Sequence, residues 1–82
     1  MPRLRRLTGP EVISILIKLG FELVRIRGSH HRLRLADAKG STYLTVPTHG
    51  KHTLSIKTLK TIYWQACERI PEEQVKPYFF EE

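Results

Sequence analysis

The sequence predicts a two-layer α+β domain, in which a three-stranded antiparallel sheet carries both helices on one face. Two observations lead to this class. Apolar residues recur at helical spacing in a stretch near each end of the chain, and the stretch between them alternates like β-strands interrupted by two tight turns. The predicted order is therefore α-β-β-β-α. The 82 residues have room for one core, and we divide them into a body over residues 1–70 and an acidic, aromatic tail over residues 71–82.

The first predicted helix begins at a capping box. Glu11 follows Thr8 by three residues, so that each side chain can accept a hydrogen bond from the backbone of the other. Gly20 supplies a left-handed stop after about three turns. The predicted buried stripe consists of Val12, Ile15, Leu16 and Leu19.

Three strands follow. The first runs over residues 21–27 and ends at Gly28-Ser29, a pair that fits a type II′ hairpin because glycine comes first. The second covers residues 30–36, and a four-residue turn at 37–40 leads to the third, residues 41–46, which Pro47 ends.

A second helix is predicted to start between Thr53 and Lys57 and to end at Pro71. For the tail we predict a short turn over residues 72–75. We expect the aromatic run at residues 78–80 to pack back onto the domain, with a partner-binding patch as the alternative. The predicted stripe of the second helix consists of Ile56, Leu59, Ile62, Tyr63, Ala66, Cys67 and Ile70.

Positive charge is concentrated on the body of the domain. The formal net charge is +6, and residues 1–67 contain 12 Lys and Arg against three acidic residues. Such a surface favours a polyanionic partner, most often nucleic acid. No apolar run approaches the roughly 20 residues of a membrane helix, no secretory signal is recognisable, and the single cysteine, Cys67, cannot form an internal disulfide. We therefore expect a cytoplasmic protein without a membrane association.

The two turns fix a register that places the arginines on the open face of the sheet. The predicted rows across the strands are Arg27–His30–Pro47, Arg25–Arg32–Thr45 and Leu23–Arg34–Tyr43. Like charges directly across a sheet are destabilising, and a bound polyanion would offset that cost. The alternative is that these arginines only keep the protein soluble.

The histidine amid these arginines suits RNA cleavage by internal attack. That reaction needs a base for the 2′-hydroxyl proton, an acid for the leaving 5′-oxygen and cations for the charge that develops on phosphorus. His30 fits the base, because imidazole titrates near neutrality, and His49 lies two residues beyond its predicted strand partner, in a loop with Lys51 and His52. The alternative is that His30 only binds or stacks on RNA.

The remaining candidates have simpler interpretations. His31 points to the helix layer and is expected to be a core histidine whose hydrogen bonds are satisfied, and Cys67 is expected in the core. Adjacent strand residues point apart, and no cysteine or carboxylate completes a tetrahedron with the histidines, so we expect no metal site. No cofactor is expected either.

Three motifs occur in order along the chain: Gly28-Ser29-His30-His31, Thr45-Val46-Pro47-Thr48-His49-Gly50-Lys51 and Thr58-Leu59-Lys60-Thr61-Ile62. Together they resemble the HicA (YcfA-like) toxin family over residues 10–68. The Arg-rich extension before Thr8 and the tail after Arg69 depart from the family pattern.

The resemblance implies a domain similar to double-stranded-RNA-binding folds and a ribonuclease toxin of a type II toxin–antitoxin pair. Such a toxin cleaves mRNA and is inhibited by a HicB antitoxin, with which it can form an oligomer. His30 matches the catalytic histidine of the family and Gly28-Ser29 the turn that aims it, while His49 matches a loop histidine that acts as general acid, positions a phosphate or holds the loop. We expect RNA contacts from Arg25, Arg27, Arg32, Arg34 and Lys51. The competing hypotheses are a non-catalytic RNA-binding module and a degenerate toxin that acts only through its protein partner.

Overall fold

The computed structural model describes residues 2–81 and has the predicted α+β architecture. The order α-β-β-β-α is confirmed for the body, and a short strand is added at each end of the chain. None of the helices in this described range is long and apolar enough to cross a membrane. The elements are β1 (Arg3–Leu4), α1 (Gly9–Lys18), β2 (Glu22–Arg27), β3 (His30–Asp37), β4 (Gly40–Pro47), α2 (Ile56–Cys67), α3 (Glu72–Phe79) and β5 (Phe80–Glu81).

The capping box at the start of α1 is present. The backbone N–H of Glu11 donates to the Thr8 hydroxyl at 3.3 Å, and that of Thr8 donates to the Glu11 carboxylate at 2.9 Å. Gly9 then allows the helix to approach the end of β4, because a Cβ at this position would lie 2.4 Å from the carbonyl oxygen of Pro47. Gly20, with φ of 110°, provides the predicted left-handed stop.

The sheet has the order β2-β3-β4, and two of the three predicted rows are confirmed. Its open-face rows are Arg27–His30–Pro47 and Arg25–Arg32–Thr45.

The third predicted row was wrong at β2. A bulge between Leu23 and Arg25 shifts the register, so that Glu22 rather than Leu23 lies opposite Arg34. The extra residue reverses the alternation and pairs Leu23 with the buried Leu33. An acidic residue therefore enters the arginine-rich face in place of a leucine.

The helices pack against one face of the sheet and share a single hydrophobic core with it. Residues buried in this core include Leu16 of α1, Leu33 and Val46 of the sheet, and Leu59 and Ile62 of α2. Two members of the predicted α2 stripe differ from expectation, because Ile56 is 59% exposed and Cys67 is half-buried. Ile56 is the first residue of α2, after the N-cap Ser55, where the helix has not yet reached the core.

The tail packs back onto the domain, as predicted, but it forms a helix instead of a short turn. Val75 and Phe79 of α3 are fully buried in the common core. After α3, the tail pairs antiparallel with the start of the chain, with Leu4 opposite Phe80. The tail is thus held both by α2 and by β1.

Candidate functional site

The open face of the sheet gathers four of the predicted site residues around one depression. This depression has a volume of about 220 Å³. Its walls come from all three strands, and its position follows from the two confirmed rows. The residues that line it are Arg25, Arg27, His30, Arg32 and Thr45.

Three arginines of this depression carry uncompensated charge. Within residues 2–81, Arg25, Arg27 and Arg32 form no salt bridge, since the ion pairs there involve other arginines. Arg25 lies directly across the sheet from Arg32, an arrangement that costs stability through repulsion. The Arg32 guanidinium lies 4.7 Å from the centroid of the Tyr43 ring, which holds it over the open face through a cation–π contact. The depression is therefore suited to an anion.

Arg34 is in a different electrostatic environment. Its guanidinium donates to the Glu22 carboxylate at 2.8 Å. Hydrogen bonding to Tyr43 and to Glu22 raises its pKa. It does not line the depression. The predicted contact of Arg34 with RNA remains a prediction, made by an arginine that already has a carboxylate partner.

The turn that precedes His30 is fixed on both sides. Gly28 has a φ of 59°, the positive value that a type II′ turn requires at its first central residue. No residue other than glycine has a positive φ in the described chain, so the second central residue, Ser29, also fits this turn type. The carbonyl of Ser29 accepts hydrogen bonds from the backbone N–H of Thr48 at 2.6 Å and from its hydroxyl at 3.2 Å. Thr48 therefore ties the hairpin to the loop that carries His49. Sequence reasoning missed this role of Thr48, although its position just beyond Pro47, the partner of His30, was a signal for it.

His49 and Lys51 lie in this loop and are exposed. A turn is closed there by a hydrogen bond of 3.2 Å from the N–H of His52 to the carbonyl of His49. Neither His49 nor Lys51 lines the depression around His30. The loop is thus anchored beside the depression, through Thr48, but is not part of its wall.

His31 faces the helix layer, between Ile26 and Val46, but it is half-buried rather than part of the core, and its predicted hydrogen bonding was also wrong. Its Nδ1 atom is buried and has no hydrogen-bond partner in the described chain. Strand alternation predicts the direction of this side chain, but it does not predict its hydrogen-bond partners. Burial raises the pKa of the Cys67 thiol, which is consistent with an inert cysteine.

The fold and the site define a small basic α+β protein whose open sheet face presents a histidine among three arginines without an ion pair to any other described residue. A family model described as the HicA toxin of bacterial toxin–antitoxin systems matches residues 9–67, from the start of α1 to the end of α2. The chain therefore belongs to the HicA toxin family, and it is a toxin with an antitoxin as its counterpart. Comparisons with curated proteins and with solved structures found no match.

Proposed function

We propose that this toxin is a metal-independent endoribonuclease that cleaves mRNA and is inhibited by a HicB-type antitoxin. The observation that carries the proposal is the position of His30 in a depression with three arginines that form no salt bridge within residues 2–81. This combination supplies a group that can accept a proton and cations that can hold a phosphodiester beside it.

The proposed reaction is internal attack on the RNA backbone. His30 accepts the proton of a 2′-hydroxyl, and the 2′-oxygen forms a bond to the adjacent phosphorus while the bond to the 5′-oxygen breaks. The products are a 2′,3′-cyclic phosphate and a 5′-hydroxyl. Arg25, Arg27 and Arg32 stabilise the negative charge that develops on the phosphate oxygens. The arginines supply this charge stabilisation, so the route requires no metal ion.

The leaving 5′-oxygen requires a proton, for which His49 is the proposed source. The hydrogen bonds between Ser29 and Thr48 hold its loop next to the turn that carries His30. His49 can instead position a phosphate or hold the loop, and Lys51 of the same loop is a proposed backbone contact.

A non-catalytic RNA-binding module is the second candidate function. The three unpaired arginines would bind a phosphate backbone equally well without any proton transfer. A toxin that acts only through its protein partner would need neither proton transfer by His30 nor phosphate binding by the arginines of the depression.

Cleavage of a transcript by the purified toxin in EDTA tests the proposed function. We expect fragments that carry 2′,3′-cyclic phosphate and 5′-hydroxyl ends. A DNA oligonucleotide of the same sequence is the control, and it should stay intact because it lacks the 2′-hydroxyl. A transcript that is bound but not cut would establish the binding module instead, and cleavage of the DNA would contradict internal attack.

Salt dependence tests the role of the arginines. If four to six phosphates are contacted, raising the salt from about 50 to about 200 mM should weaken RNA binding on the order of a hundredfold. Arg25→Ala and Arg32→Ala should each lower the slope of log K against log salt by about 1. Lys18→Ala, at the far end of α1, should leave the slope unchanged. An RNA affinity that does not change with salt, or a slope that is the same for all three variants, would contradict the proposed binding face.

A further inference from the structure

A second concave surface lies away from the sheet face, between the start of the chain and the start of α2. We call it the arm groove; it runs between residues 2–6 and residues 53–60 and ends at Phe80. Its volume is about 780 Å³, within the range of sites that hold small ligands or short peptide segments. Among the residues that the structure describes, none lines both the arm groove and the depression around His30.

The arm groove exists because the segment before α1 changes its backbone hydrogen-bond partner between Leu7 and Arg5. At Leu7 the carbonyl accepts a hydrogen bond of 2.8 Å from the N–H of Leu54, next to α2. At Arg5 the N–H donates instead to the carbonyl of Phe79, also at 2.8 Å, and Leu4 pairs with Phe80. Residues 2–6 thereby separate from the start of α2 and leave the groove between them. Both the arm and the tail lie outside the segment that matches the family.

The lining combines apolar side chains with positive charge. Leu4, Leu54, Leu59 and Phe80 contribute apolar surface, and the exposed Ile56 adds to it. The cations are Arg3, Arg5, Arg6 and Lys60, and no acidic residue of the described chain lines the groove.

Most of this charge is available to a partner. Arg5 is engaged, because its guanidinium donates to the carbonyl of Tyr78 at 2.8 Å and lies 4.0 Å from the Glu81 carboxylate. Arg3, Arg6 and Lys60 form no salt bridge within residues 2–81. The first turn of α2 also contains no acidic residue. An occupant of the groove therefore meets at least three cations that have no salt-bridge partner in the described range, together with an apolar floor.

We propose that the arm groove binds an acidic segment of the antitoxin that carries apolar side chains. The charge of the lining requires an anionic occupant, and the aliphatic floor requires apolar groups beside that charge, which a peptide with acidic and aliphatic residues supplies together. RNA fits less well, because its sugar–phosphate backbone would meet the cations but leave the aliphatic side chains of Leu4 and Leu54 without apolar partners. The antitoxin would then hold the toxin at a surface separate from the catalytic face. This proposal rests on the toxin–antitoxin class and is independent of the proposed cleavage chemistry.

Binding of the cognate antitoxin, measured by calorimetric titration, tests the proposal. Ile56→Glu and Arg6→Glu should each weaken binding by about tenfold or more, because each places a carboxylate against an acidic segment. Both residues are exposed, so the variants should keep the fold and the melting profile. Ile26→Glu and Lys39→Glu are the matched controls, and they should bind within about twofold of the unmodified toxin. Ile26 is 57% exposed, against 59% for Ile56, and neither control residue lines the groove.

RNA binding by the same variants distinguishes the two classes of partner. The proposal expects Ile56→Glu and Arg6→Glu to bind RNA as the unmodified toxin does. Unchanged antitoxin affinity in both variants would overturn the proposal. Loss of RNA binding with antitoxin affinity retained would overturn it in favour of a nucleic-acid site. Antitoxin binding does not require RNA cleavage. The binding experiment therefore tests the arm groove even if the toxin has no ribonuclease activity.

Discussion

Replacing His30 by alanine should lower the rate of RNA cleavage by about 10²- to 10⁴-fold, the usual contribution of a positioned general base. The alanine variant keeps Arg25, Arg27 and Arg32, so its affinity for RNA should change by no more than a few-fold. Loss of rate with binding retained is the signature of a proton-transfer role. Single-turnover cleavage of a transcript in EDTA measures the rate, and a filter-binding titration measures the affinity.

His52→Ala is the matched control, because His52 is also an exposed histidine but lies outside the depression. It should cleave RNA at the rate of the unmodified toxin. Full activity of His30→Ala would remove His30 from the mechanism. Equal loss of rate and of binding would instead indicate that His30 holds the RNA.

The backbone around His30 explains why this position can aim a base. His30 is the first residue of β3, directly after the hairpin turn, and it lies between Arg27 and Pro47 in the sheet. Groups on strands are held more precisely than groups on free loops. His49 is placed differently, on a loop that is attached to the hairpin through Thr48, so its side chain is held less precisely than that of His30.

The rows around His30 were predictable from the sequence because the length of a hairpin turn fixes which residues of the two strands lie opposite each other. A two-residue turn at Gly28-Ser29 fixes Arg27 opposite His30, and alternation then places Arg25 opposite Arg32. The bulge was not predictable in the same way. Leu23 and Val24 are both apolar, so alternation alone does not indicate which of them faces the helices. The hydrogen bond between Arg34 and Glu22 depends on the bulge, and it was therefore not predictable either.

The ends of the chain were less predictable, because their structure depends on contacts distant in sequence. Pro77 lies inside α3, and Pro71 provides no side-chain cap, so local signals for this helix are weak. The helix forms against α2, where the hydroxyl of Tyr63 donates to the carboxylate of Glu72 at 2.5 Å. Burial and this hydrogen bond raise the pKa of Tyr63. The aromatic run in the tail signalled packing, but its partners were not visible in the sequence.

Phe79→Ala should be the most destabilising change in the tail, lowering the free energy of unfolding by roughly 3–5 kcal/mol. The side chain of Phe79 is fully buried, and its ring meets that of Tyr63 edge to face, with 5.6 Å between centroids. The carbonyl of Phe79 also accepts the hydrogen bond from Arg5 that holds the arm. Domains of this kind have total stabilities of roughly 5–15 kcal/mol, so the loss is a large part of the whole. Urea unfolding followed by circular dichroism measures it.

Trp64→Ala separates burial from aromatic contact, because Trp64 also meets Tyr63 edge to face, at 5.0 Å, yet is 57% exposed. It should cost roughly 1 kcal/mol, the value of an aromatic pair without a cavity. Equal losses for Trp64→Ala and Phe79→Ala would contradict the assignment of Phe79 to the core. Because Phe80 and the arm also line the arm groove, Phe79→Ala should weaken antitoxin binding in the absence of denaturant more than it weakens RNA binding by the sheet face. The tail would then be the element that links the stability of this toxin to recognition by its partner.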